Sequence, residues 1–344
     1  MRPRLLAVRT AVPPFPIGQK EVAELAPVLF RDTPHIHHLL PVFQNAAIDT
    51  RYSCVPIDWY REPHGWIDRT QLYVDHSVAL FEKLTREVAQ EAGIGLEEID
   101  AIVMVSTTGI ATPSLDALVI EKLGLRRDIQ RLPIFGLGCA GGVIGLSRAA
   151  DLARANPGSK ILFLAVELCA LTFRRNDMSK SNIVATALFG DGAAGALIST
   201  EGDGPEIIAS GEHTWPGSLD IMGWDVEEDG LKARFAQNIP ALVSRDMRPI
   251  VDGFLTKQGL GTKDIDKFAC HPGGAKVLDA LEAAFELPSG ALSESRDVLR
   301  NYGNMSAVTV FFVLAQMDWR KKKQTILMTS LGPGFSAAML LLKG

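Results

Sequence analysis

Short apolar runs alternate with longer amphipathic segments along most of the chain. Strands with one exposed face alternate apolar and polar residues, and most of these runs do not. This lack of alternation is typical of strands covered on both faces. These runs are 101–106, 160–166, 193–199, 267–271, 325–331 and 336–342. Between them, segments 75–92 and 275–285 repeat apolar residues at helical spacing. The pattern predicts an α/β layered protein.

Features of the first half of the chain return in the second half at a nearly constant offset. A strand beginning near Ile99 is matched near Ile265, 166 residues later, and the strand around Ile161 is matched around Ile326, 165 residues later. Repetition at a fixed spacing indicates a duplicated β-α unit, although chance similarity is the alternative for matches this short.

The same offset relates two residues that each open a predicted helix, Cys139 and Asn304. The polar, glycine-containing stretch 200–203 is the best boundary between the halves. We therefore predict an N-terminal half, 1–200, with the cysteine, and a C-terminal half, 201–344, with the asparagine.

Composition excludes several classes of protein. The chain has 344 residues, of which 47% are hydrophobic and 22% charged, and its net charge is −5, so disorder and collagen-like structure are excluded. Basic residues are scattered except at 320–323, which gives no footprint for nucleic acid. The longest apolar stretches, such as 337–342, are far shorter than the roughly 20 residues of a membrane span.

The N-terminus and the cysteines indicate the compartment. The apolar region 5–8 is too short for a signal peptide, which favours a cytoplasmic location. Four scattered cysteines form neither a disulfide scaffold nor a paired zinc motif, so no metal site is predicted. Each cysteine is then either a small buried hydrophobic residue or a reactive thiol.

Cys139 is the strongest candidate nucleophile. It lies in the glycine-rich segment 136–142, between an apolar run and a predicted helix. Flanking glycines permit a sharp turn, and the positive end of a helix dipole favours a thiolate. The alternative is a buried structural cysteine beside tightly packed glycines.

His271 and Asn304 suit acyl transfer alongside a nucleophilic cysteine. His271 ends a predicted strand before Pro-Gly-Gly, where an imidazole can pair with a thiolate and donate to an oxyanion, or can simply cap a helix. Asn304 is either a helix N-cap or a neutral donor into a pocket. The three residue types together matter more than any one of them, and a sequence does not reveal whether they converge.

Six motifs, in order along the chain, resemble the signatures of type III polyketide synthases, the chalcone synthase superfamily. They are Gly138-Cys139-Ala140-Gly141-Gly142, 167–174 (ELCALTFR), 187–194 (ALFGDGAA), His271-Pro272-Gly273-Gly274, 302–306 (YGNMS) and Gly332-Pro333-Gly334. The resemblance covers the chain from about Ile48 to the C-terminus. It implies a thiolase-like fold, with duplicated βα halves in a five-layer αβαβα arrangement, and a homodimer.

The resemblance also implies the reaction. Cys139 matches the nucleophile loaded with an acyl starter from acyl-CoA, and His271 and Asn304 match the pair that stabilises the enolate formed when malonyl-CoA loses carbon dioxide. The extended chain then cyclises to a pyrone- or resorcinol-type product. No metal or organic cofactor is implied beyond the coenzyme A thioester substrates.

Further site residues are implied by matching positions. Phe189 matches an aromatic gatekeeper, and Arg51 is the one basic residue kept where plant members bind coenzyme A. Thr107, Glu167 and Ser306 match a hydrogen-bonding network linked to ring closure. The remaining pocket positions are Thr108, Cys169, Thr172, Ala233, Gly332, Pro333 and Gly334.

The departures from plant members concern the substrate. Ala233 replaces a second gatekeeper phenylalanine, and Ser330 replaces a glycine of the cavity loop. Most coenzyme A-binding basic residues are missing, so an acyl carrier protein is a possible alternative partner. Together these differences point to a bacterial-type branch and to a medium- or long-chain fatty acyl starter. The starter's identity, the number of extensions and the mode of cyclisation stay open.

Two alternative functions remain. A ketoacyl-acyl-carrier-protein synthase III shares this chemistry but stops after one condensation. A catalytically silent acyl-binding protein of the same fold is the alternative from another class, and the presence of all three candidate residues argues against it.

Overall fold

A computed structural model describes residues 1–31 and 36–344, apart from the side chain of His37. The strands in these ranges are β1 Arg4–Ala11, β2 Phe15–Gly18, β3 Thr50–Ser53, β4 Ile99–Val105, β5 Gln130–Ile134, β6 Lys160–Leu168, β7 Asp191–Ser199, β8 Glu206–Thr214, β9 Met222–Glu227, β10 Gly230–Phe235, β11 Lys267–Cys270, β12 Thr325–Gly332 and β13 Ser336–Lys343. The α-helices are α1 Gln19–Leu29, α2 Pro41–Asn45, α3 Trp66–Ala92, α4 Leu115–Leu123, α5 Gly141–Ala155, α6 Lys180–Leu188, α7 Ile239–Thr256, α8 Ala275–Ala284, α9 Ser293–Tyr302 and α10 Thr309–Gln316.

The largest sheet has the duplicated order that the sequence repeat predicts. Its strand order is β11-β12-β13-β8-β1-β7-β6-β4-β5. Outward from the central β8–β1 junction, β8, β13, β12 and β11 correspond to β1, β7, β6 and β4. The pairings match as well, because β6–β7 and β12–β13 are antiparallel while β4–β6 and β11–β12 are parallel.

Five layers follow from the way the two sheet halves bury both faces. Along β6, Phe163 and Ala165 pack into the central core with α5 and α10, whereas Leu162 and Leu164 face the outer core with α3. The outer face of the second half is covered by α7 and α8. This double coverage explains why the strands read as continuous apolar runs.

Helix α5 passes close to the segment that leads into α10. A Cβ at Gly142 would lie 2.1 Å from the carbonyl oxygen of Ala307, so only glycine allows this approach. The close packing brings the start of α5 beside the segment before α10, and these two places hold Cys139 and Asn304.

The predicted strands are confirmed, and one helix is longer than predicted. Helix α3 begins at Trp66, nine residues before the predicted start at Asp75. Its first turns carry mostly exposed or half-buried residues, including Ile67 at 84% exposure, and so they lack the apolar stripe that marks the rest of the helix. Within the described ranges, no helix combines the length and the apolar character needed to cross a membrane.

Candidate active site

Cys139, His271 and Asn304 line one cavity of about 510 Å³. Cys139 lies in a 3-10 turn, Gly138–Ala140, directly before α5. His271 follows the end of β11, and Asn304 lies between α9 and α10. The duplicated fold therefore brings residues from both halves of the chain to a shared centre.

Local backbone geometry fixes the cysteine and the histidine. Gly138 has φ +47°, and a Cβ there would lie 2.6 Å from Pro333 Cδ, so the turn before Cys139 requires glycine. The His271 N–H donates to the Thr329 carbonyl at 2.8 Å, which continues the β11–β12 ladder to the cavity edge.

The thiol of Cys139 is buried, with 9% of the residue exposed. Burial raises its pKa to about 12, while hydrogen bonding with Ser306 and Asn304 acts in the opposite direction. The helix N-terminus favours a thiolate, as the sequence indicates, whereas burial favours the neutral thiol.

The imidazole of His271 lines the same cavity as this thiol and is unpartnered within the described ranges. The residue is 4% exposed, and neither ring nitrogen has a hydrogen-bond partner among the described residues. Burial lowers its pKa to about 3, so it is neutral at physiological pH. A neutral imidazole can accept the thiol proton, and it can then donate that proton.

The amide of Asn304 is held at both ends. Its Oδ1 accepts from the Ser306 N–H at 2.8 Å, and its Nδ2 donates to the Gly273 carbonyl at 3.3 Å. Of the two roles left open by the sequence, Asn304 has the cavity-lining one. It is not the helix N-cap, because Met305 holds that position before the 3-10 turn Ser306–Val308.

Glu167 lies behind the nucleophile in a fully buried network. Its Oε2 accepts from the N–H groups of Thr107 and Thr108 at 3.0 and 3.1 Å, and the Ser306 hydroxyl donates to Oε1 at 3.4 Å. Thr107 Oγ1 accepts from the Gly138 N–H at 3.0 Å, which connects the network to the Cys139 turn. Burial raises the pKa of Glu167 to about 7.

The Glu167→Gln variant should lose less stability than wild type as pH rises from 5 to 8. A raised carboxyl pKa means that the folded state binds the proton more tightly, so stability present below about pH 4.5 is lost as pH rises through 7. The shift corresponds to about 3 kcal/mol. Thermal unfolding across this pH range measures it, with exposed Glu97→Gln as control. Equal pH dependence in Glu167→Gln and wild type would contradict this.

Phe189 separates the main cavity from a second, apolar cavity of about 60 Å³. Its ring packs against Phe235 and Trp224, with centroid distances of 5.6 and 6.0 Å. Of the predicted pocket residues, those on the wall of this second cavity are Cys169, Thr172 and Ala233.

Other predicted pocket positions lie elsewhere. Thr107 is under the nucleophile turn, and Thr108 lines a small pocket of about 40 Å³ on the other side of that segment. The Gly332-Pro333-Gly334 loop supports the Cys139 turn, since a Cβ at Gly332 would lie 2.6 Å from Ala140 Cβ. These residues shape the site from behind and do not line the 510 Å³ cavity.

Arg51 is buried and is not at the cavity mouth. It is 4% exposed, and its guanidinium donates to the carbonyls of Thr186, Ala187 and Phe189. The prediction that it binds coenzyme A is therefore wrong: its donors point inward to the end of α6.

Sequence reasoning missed Lys180, Lys276 and Phe235, which all line the main cavity. The two lysines are exposed and lie in the first turns of α6 and α8. Phe235 is two residues after Ala233 on β10, so period-two alternation was the signal that would have found it. Among the described residues, no group of three or more His, Cys, Asp or Glu side chains is arranged to hold a metal ion.

Comparisons with known proteins agree over most of the chain. The models for the N-terminal and C-terminal domains of chalcone and stilbene synthases match residues 60–202 and 206–344. A 1,3,6,8-tetrahydroxynaphthalene synthase from Streptomyces peucetius subsp. caesius is 36% identical, covering 98% of this chain and 92% of that protein. An alpha-pyrone synthesis polyketide synthase-like protein from Mycobacterium tuberculosis is 28% identical, covering 96% and 88%.

A solved structure shares the fold closely. The crystal structure of 1,3,6,8-tetrahydroxynaphthalene synthase from Streptomyces coelicolor A3(2), a bacterial type III polyketide synthase, has a TM-score of 0.94 at 28% identity, covering 99% of both chains. The predicted thiolase-like fold is confirmed.

Proposed function

Because this chain belongs to the chalcone and stilbene synthase family, we propose that Cys139, His271 and Asn304 carry out type III polyketide synthesis in the 510 Å³ cavity. One observation supports this most strongly: a thiol, an unpartnered imidazole and a fixed amide, from three separate segments, line one cavity. The N-terminal half, 1–200, supplies the nucleophile Cys139, and the C-terminal half, 201–344, supplies His271 and Asn304.

The first step is acyl loading. The Cys139 proton passes to His271 as the sulfur attacks the carbonyl of an acyl-CoA thioester, and the new Cys139 thioester forms as the coenzyme A thiolate leaves and takes up that proton. Since both resting groups are neutral, no uncompensated charge is buried before substrate arrives.

The second step is decarboxylative condensation. Malonyl-CoA loses carbon dioxide, and hydrogen bonds from His271 and the Asn304 amide stabilise the enolate oxygen. The enolate carbon attacks the Cys139 thioester, forms a carbon–carbon bond and releases the cysteine sulfur. The decarboxylation drives the reaction, so the chemistry requires no metal or organic cofactor.

Lys180 and Lys276 are the proposed ligands of the coenzyme A phosphates. Both are exposed at the cavity lining, and both lie in first helical turns, where N–H groups and the helix dipole favour anions. The same cations would attract the phosphopantetheine of an acyl carrier protein, the alternative donor.

The chemistry of the second cavity's lining, and not its volume of about 60 Å³, supports a medium- or long-chain fatty acyl starter. Its lining is mainly aliphatic and aromatic, including Val22, Leu25, Leu29 and Phe173, which is suited to an alkyl chain and not to a polar one. The product is a pyrone or a resorcinol. If the ring closes by aldol chemistry, Glu167 can donate or accept the proton, because its pKa of about 7 permits both protonation states.

The Ala233→Phe variant should lower turnover of long-chain acyl-CoA starters at least tenfold and leave short-chain starters little changed. Ala233 is 7% exposed on the wall of the second cavity, and a phenyl group there fills the space for the chain. Product mass spectrometry over an acyl-CoA panel with malonyl-CoA measures this, with Lys232→Ala as the neighbouring control. Wild-type turnover confined to aromatic starters would contradict the proposed starter class.

A homodimer is proposed through β5, one of the two edge strands of the large sheet. Residues 130–133 of this strand are exposed, and Leu132 and Phe135 are 36% and 57% exposed. An uncovered edge with apolar side chains is suited to a second copy of the chain. All four cysteines are free, which supports the proposed cytoplasmic location.

A further inference from the structure

Arg51 donates hydrogen bonds to backbone carbonyl groups at the C-terminal end of α6. The last carbonyls of a helix have no partner within it, and a cation there also interacts favourably with the dipole. Arg51 Nη1 donates to Thr186 O at 2.6 Å and Phe189 O at 2.9 Å, and Nη2 donates to Ala187 O at 2.9 Å. A single planar guanidinium thus fixes the backbone on which Phe189 stands.

A second side chain holds Arg51 in place. Gln19 Oε1 accepts from Arg51 Nη2, and Gln19 Nε2 donates to Ala187 O at 3.1 Å and Phe43 O at 2.9 Å. Both side chains are buried, so the whole contact forms inside the protein and away from solvent.

The segment that Arg51 holds is also bonded to Asn304. The Asn304 N–H donates to Leu188 O at 2.8 Å, and the Gly190 N–H donates to Asn304 O at 3.0 Å, forming a parallel bridge between Phe189 and Asn304. A Cβ at Gly190 would lie 2.5 Å from Tyr302 O, so the backbone segments around Phe189 and Asn304 lie close enough together that position 190 requires glycine.

We propose that Arg51 is a positioning residue that sets the ring of Phe189 between the two cavities and, through the backbone bridge, the amide of Asn304. This inference rests on the proposed function for its kinetic consequences. The guanidinium of Arg51 would thus control both how Phe189 separates the two cavities and where the enolate-stabilising amide of Asn304 lies.

The kinetic test compares malonyl-CoA with malonyl-N-acetylcysteamine, which lacks the coenzyme A phosphates. Arg51→Lys keeps the charge and loses the planar fork, so kcat for decarboxylation should fall about tenfold to a hundredfold on both thioesters, with KM little changed. The Lys180→Ala/Lys276→Ala double variant should raise KM for the coenzyme A thioester alone. A rise in KM confined to malonyl-CoA in Arg51→Lys would overturn the proposal.

A second readout does not depend on catalysis. Cys169 lies on the second cavity beside Phe189, and a displaced ring should speed its alkylation by N-ethylmaleimide at least fivefold in Arg51→Lys, measured by peptide mass spectrometry. Exposed Arg86→Lys is the control. Unchanged alkylation together with unchanged turnover would overturn the proposal. Absent decarboxylation in wild type would instead refute the proposed function and leave the alkylation test in force.

Gln19→Met provides an independent variant if Arg51→Lys does not fold. It removes the partner of Arg51 and the extra donor to Ala187 without touching the guanidinium. In this variant we expect kcat for decarboxylation to fall about threefold and the rate of Cys169 alkylation to rise about threefold. A thermal melt checks that the chain is folded. Wild-type kinetics and wild-type Cys169 alkylation in this variant would contradict the positioning role.

Discussion

Replacing Cys139 with alanine should abolish covalent acyl loading and lower polyketide formation about 10³-fold or more, since Cys139 is the only cysteine that lines the main cavity among the described residues. Alanine removes only the sulfur atom from a site that is 9% exposed, so the fold should persist. Intact-protein mass spectrometry after incubation with an acyl-CoA measures the loading directly.

A matched variant separates the nucleophile from the other buried cysteines. Cys54 is also free and buried but lines neither cavity, so Cys54→Ala should load the acyl group as wild type does. Acylation that persists in Cys139→Ala would contradict the assigned role. Decarboxylation of malonyl-CoA should survive in Cys139→Ala, because that step uses His271 and Asn304.

Removing either enolate-stabilising group should lower decarboxylation of malonyl-CoA about 10²- to 10³-fold, the usual effect of losing one preorganised donor. His271→Ala removes the imidazole, and Asn304→Ala removes the amide together with its bonds to Ser306 and Gly273. Release of labelled carbon dioxide measures the step in the absence of a starter.

Conservative and neighbouring variants are the controls for this prediction. His271→Gln keeps a donor and should retain more activity than His271→Ala. Asn301→Ala, at an exposed position on α9, should behave as wild type. Wild-type release of carbon dioxide from His271→Ala and Asn304→Ala would contradict the assignment and would favour a different pair of donors.

The duplicated architecture was predictable because strands buried on both faces leave a continuous apolar pattern, and because the repeat preserves the positions of Cys139 and Asn304. The convergence of these residues with His271 was not predictable from spacing alone. It depends on the close passage of α5 beside the segment before α10, which Gly142 permits through one backbone contact.

Arg51 shows why a basic residue near a binding motif is ambiguous in a sequence. The carbonyls that accept hydrogen bonds from its guanidinium lie 135 to 138 residues later in the chain. The sequence around Arg51 therefore does not indicate that its side chain points inward. The two lysines that line the cavity, Lys180 and Lys276, lie far from Arg51 along the chain. Likewise, the thiol pKa depends on desolvation, which requires the packed structure.

The number of malonyl units built into one product tests the central claim most directly. Wild-type enzyme is incubated with an unlabelled medium-chain acyl-CoA and fully ¹³C-labelled malonyl-CoA, and the product is analysed by mass spectrometry. Iterative polyketide synthesis predicts two or more labelled two-carbon units in a cyclised product. A product with a single unit would identify a one-condensation ketoacyl synthase, and the absence of any extension would indicate an acyl-binding protein without this activity.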